Sequence, residues 1–98
     1  MKVEHVVDDL KQVAGRLGFQ VRMEKGSFRG GRCTVSGEEV IVINRQHIPE
    51  IQLSVLAESL RGSEIDNTYI KPAVRRALED AWKRSDTADI DVTEEADA

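Results

Sequence analysis

Ser27-Phe28-Arg29-Gly30-Gly31-Arg32-Cys33-Thr34-Val35-Ser36-Gly37-Glu38-Glu39-Val40-Ile41-Val42-Ile43-Asn44 is the stretch that decides the fold. In its second half Val40 and Val42 face one way while Ile41 and Ile43 face the other. A strand over Glu38–Asn44 is therefore apolar on both sides, which predicts the central or best-covered position of a sheet. Ser36-Gly37 is a two-residue turn joining it to a preceding strand over about Gly31–Val35. Gly26-Ser27 breaks the chain before that, and Lys25 to Arg32 forms a basic, glycine-rich approach to the hairpin.

Upstream, Phe19-Gln20-Val21-Arg22-Met23-Glu24-Lys25 alternates apolar and polar residues with period two, the pattern of a half-buried strand whose Phe19, Val21 and Met23 face the core. Val3, Val6, Val7, Leu10, Val13, Ala14 and Leu17 fall at helical spacing and predict a first helix over about Val3–Leu17, closed by Gly18. Downstream, Pro49 suits the first turn of a second helix, which carries Ile51, Leu53, Val55, Leu56, Ala57 and Leu60 and ends at Arg61-Gly62. Ser63–Ile70 connects, with one helical turn at Glu64–Asn67. A third helix opens at Pro72 and carries Val74, Ala77, Leu78, Ala81 and Trp82 to about Arg84. The expectation is an α+β domain, in order α-β-β-β-α-α. Its sheet would be a three-stranded antiparallel meander packed with helices.

The 98 residues suit one domain, and 40% hydrophobic content supports one modest core. The net charge of −4 divides unevenly: residues 1–84 hold 14 bases and 12 acids, about +2, whereas residues 85–98 hold six acids and no base. The body, 1–84, is thus slightly basic, and 85–98 reads as an acidic, disordered tail that cannot bury enough apolar surface to order itself. No apolar run reaches the roughly 18 residues of a membrane span, and the N-terminus has no signal-peptide core. Cys33 is the sole cysteine, so no internal disulfide forms. These features suit a cytoplasmic protein without membrane contact.

Among candidate sites, Lys25, Phe28, Arg29 and Arg32 stand first. Backbone N–H groups of a glycine-rich loop, three cations and one ring could hold phosphates and stack a base. The loop precedes a strand, however, and lacks the P-loop spacing. His5, Cys33 and His47 are scattered and share no helical i, i+3 or i, i+4 spacing, so no metal site is expected; Cys33 reads as a small core residue. Arg75, Arg76, Lys83 and Arg84 on the third helix are interspersed with Glu79 and Asp80, the pattern of a solvated face. No cofactor and no catalytic residue is implied.

A strand ending in Asn44, a short loop and a buried helix together resemble the core of the zincin-like metallopeptidases of the ImmA/IrrE type, over about residues 40–62. In that family the helix carries H-E-x-x-H. The matching stretch is Ala57-Glu58-Ser59-Leu60-Arg61, in which Glu58 holds the general-base position and Ala57 and Arg61 replace both zinc-binding histidines. The resemblance implies a non-catalytic derivative, because two imidazoles are needed to hold the ion that activates water. The chain as a whole also resembles small conserved proteins of bacterial genomes. The leading functional expectation is a non-catalytic protein-binding module with an unidentified protein partner. The alternatives are a weak nucleic-acid binder using the basic hairpin and a zincin-like hydrolase derivative. The second face of the third strand is an expected homodimer surface.

Overall fold

The computed structural model describes residues 1–97, with side chains described through Thr87. The elements are α1 (Val3–Arg16), β1 (Gln20–Glu24), β2 (Gly30–Val35), β3 (Glu38–Asn44), α2 (Pro49–Leu60), a 3-10 turn (Ile65–Asn67) and α3 (Pro72–Asp97). Gly18, at φ +96°, follows the α1 cap in the left-handed region expected of it. Ser36 and Gly37, at φ 52° and 82°, form the hairpin turn. Both residues having positive φ matches the twist of the paired strands.

The sheet is mixed, in the order β1-β3-β2. β2 pairs antiparallel with β3, Cys33 opposite Val40, but β1 runs parallel to β3, Val21 beside Ile41 and Met23 beside Ile43. This corrects the expected meander. A meander places β2 in the middle, where Arg32 and Thr34 would need cover that they do not have; both are exposed. β3 is the strand apolar on both faces, so it takes the centre and β1 pairs with its free edge. Residues 25–29 must then cross the C-terminal end of β3.

Asn44 holds that crossing. It is buried, and its Nδ2 donates to the carbonyls of Gly26 (2.8 Å) and Phe28 (2.7 Å). Its Oδ1 accepts from the Gln46 backbone N–H at 3.0 Å, and its own carbonyl accepts from Gln52 Nε2 at 3.1 Å. The side chain thereby satisfies loop groups that have no strand partner, as buried polar groups require.

Ile41 and Ile43 join the core with Val6, Leu10 and Val13 of α1, Leu53, Leu56 and Leu60 of α2, and Val74 and Leu78 of α3. α1 and α2 pack on the sheet, and α3 packs on α2 and α1. Trp82 Nε1 donates to the Ala57 carbonyl at 2.6 Å, and Arg61 pairs with Asp86 at 2.8 Å, fixing α3 beside the end of α2. α3 therefore continues past Arg84 through Asp86 and Thr87. The expected disordered tail lies, beyond Thr87, outside the residues whose side chains are described. Among the described residues no helix is long and apolar enough to cross a membrane.

Candidate functional site

The glycine-rich stretch becomes the first residues of an edge strand. β2 is hydrogen-bonded on one side only, to β3. Gly30, at φ +97°, has no room for a side chain: a Cβ there would meet the Val42 carbonyl oxygen and stand 3.5 Å from Val55 Cγ1. β2 and α2 consequently approach closely at this point. Gly31, by contrast, has open space where a Cβ would project.

Between them β2 and α2 enclose a groove of about 220 Å³, lined by Arg29, Gly30, Gly31 and Arg32 on one wall and Val55, Glu58 and Ser59 on the other. Arg29, Arg32 and Glu58, singled out separately in the sequence, thus meet at one place. Ser59 is buried, and its Oγ donates to the Val55 carbonyl at 2.7 Å, so its polarity is spent within the helix. Glu58 is exposed, with its carboxylate 3.9 Å from the Arg61 guanidinium.

Arg32 is held in place. Its Nε donates to Glu39 Oε2 at 3.0 Å across the hairpin, and its guanidinium stands 5.0 Å from the centroid of the Phe19 ring. The hydrogen bond from Arg32 holds the Glu39 carboxyl below its ordinary value and raises the Arg32 guanidinium, outweighing a small desolvation effect. Arg29 and Lys25 are exposed, and neither makes an ion pair or side-chain hydrogen bond with a described residue. Lys25 lines neither this groove nor the next.

Phe28 goes elsewhere. Its half-buried ring borders a shallow depression with Gly30, Gly31, Arg32, Cys33 and Val42. The strand register places Cys33, Val35, Val40 and Val42 on the sheet face that the helix-packed core does not include. Cys33 is exposed there, which corrects the expectation that it fills the core. This is also the face assigned above to a homodimer contact; Val40 is buried on it and Val35 is 45% exposed.

His5 is exposed on α1 and His47 half-buried before α2. Among the described residues no three His, Cys, Asp or Glu side chains gather where they could hold a metal ion. Asn44, which sets the path of the loop into the groove, was missed as a site-forming residue. Its signal was an amide side chain ending an otherwise apolar strand. In comparisons with known proteins, no family, no curated protein and no solved structure matches this chain.

Proposed function

We propose that this chain is a non-catalytic, cytoplasmic protein-binding module that takes an extended peptide segment of its partner along the free edge of β2. The observation that carries the reading is the groove between that edge and α2, where a free strand edge and two glycines meet a helix wall of Val55 and Glu58. An added strand would gain main-chain hydrogen bonds from β2, and alternate side chains would enter the groove. Gly31, with open space where a Cβ would project, allows close approach of a second backbone. Exposed Arg29 and Glu58, of opposite charge on opposite walls, would select peptides that carry both an acidic and a basic side chain. Ala57 and Arg61, where a zincin has histidines, support a binding reading of the α2 wall over a peptidase one.

The reading is tested by selecting binders from a random dodecapeptide library on the intact protein. Arg29→Glu and Glu58→Arg alter exposed side chains only, so the fold should persist. Each should weaken the selected peptides by about tenfold, the scale of a lost charge-assisted contact. Selected peptides that bind both variants as tightly as the parent would reject the proposed site.

A further inference from the structure

We propose a second binding site: the groove between α1 and the segment leading into α3 takes a small organic monoanion with an apolar body, such as a short-chain carboxylate. This groove shares no residue with the β2–α2 groove. Its volume is about 400 Å³, at the small end of the range of roughly 300–1,000 Å³ for small-molecule sites. Val13, Ile70 and Val74 supply an apolar lining, and Asp9, Gln12, Arg16, Tyr69 and Lys71 supply the polar groups.

The charges choose the ligand. Arg16 and Lys71 bring two cations against the single carboxylate of Asp9, leaving one net positive charge. Lys71 Nζ lies 3.3 Å from Asp9 Oδ2, a buried oxygen to which no group donates a hydrogen bond. Lys71 and Asp9 thus offset one another's charge at this wall, and Arg16 carries the net positive charge of the groove. Arg16 Nη2 donates to the Tyr69 carbonyl at 3.2 Å, which ties α1 to the segment before α3 and leaves the other guanidinium N–H groups for a carboxylate. Tyr69, which lines this groove, is 73% exposed, and its ring offers a surface that a ligand would cover. A bare inorganic anion would leave the apolar surface of Ile70 and Tyr69 unused, and a neutral alkyl compound would leave Arg16 unused.

The test is titration of the ¹⁵N-labelled full chain with sodium hexanoate, with hexanol and hexylammonium as matched controls. Saturable millimolar shifts at Val13, Arg16, Tyr69, Ile70 and Val74 are expected for hexanoate. Hexanol and hexylammonium should each bind at least about tenfold more weakly. Arg16→Gln, at an exposed position, should weaken hexanoate by a similar factor and erase most of its preference over hexanol. Absence of saturable shifts, equal binding of hexanol, or hexanoate binding undiminished in Arg16→Gln would each overturn the proposal. The comparison of carboxylate with alcohol on the unmodified protein stands even if the variant fails to fold.

Discussion

Asn44 is the residue on which the proposed peptide edge most depends. Its amide donates to two loop carbonyls and accepts one backbone N–H while itself buried. Asn44→Ala strands those groups at the end of β3. Equilibrium urea unfolding should show a loss of about 2–3 kcal/mol, since water can reach part of the loop and restore some of what is lost. An unchanged midpoint would show that the loop keeps its path without the amide. Glu39 makes a second residue-scale prediction. The hydrogen bond from Arg32 depresses its folded-state pKa, so the pair's contribution is present above the ordinary glutamate value and is lost as pH falls through the depressed one. A carbon-detected NMR titration of the side-chain carboxyls should give Glu39 a lower midpoint than an unpaired glutamate. Arg32→Gln should return Glu39 toward the ordinary value.

Among the elements, the sheet order is the feature with the clearest experimental signature. With β3 central, its amides are paired on both sides, whereas alternate amides of β1 and β2 face outward. Hydrogen exchange should find continuous protection through Val40–Ile43 and alternating fast exchange along Arg32–Val35. A meander would give continuous protection in β2 instead. The helices were legible because Val3 to Leu17 and Val74 to Trp82 repeat at one period and end at glycine or begin at proline. The two-faced Val40–Ile43 run announced the central strand. The pairing of β1 was not legible, because Phe19, Val21 and Met23 present the same alternation to a parallel or an antiparallel neighbour. Deciding it takes the crossing loop, whose bonds to Asn44 span 16 and 18 residues. The site was half legible for a related reason. Arg29 and Arg32 stood out as charges beside glycines, and Glu58 as a motif remnant, but nothing local placed α2 against β2.

At the scale of the molecule, two of the grooves among the described residues differ in character. One lies at a free strand edge beside α2, where backbone groups and opposite charges suit an extended chain. The other lies between α1 and the approach to α3, where an apolar lining and one net positive charge suit a small anion. Residues 1–84 carry only about +2 of net charge, so long-range attraction by this body would contribute little to the choice of the proposed peptide, which would fall to local groove chemistry. The β2 edge carries the main functional claim. The most direct measurement adds the tightest library-selected dodecapeptide to the ¹⁵N-labelled protein and follows amide shifts and exchange residue by residue. Shifts confined to about residues 29–35 and 55–59 are expected, with the outward amides of β2 newly protected from exchange. Shifts centred on Val35, Cys33 and Val42 without β2 protection, or on Arg16 and Tyr69, would contradict it.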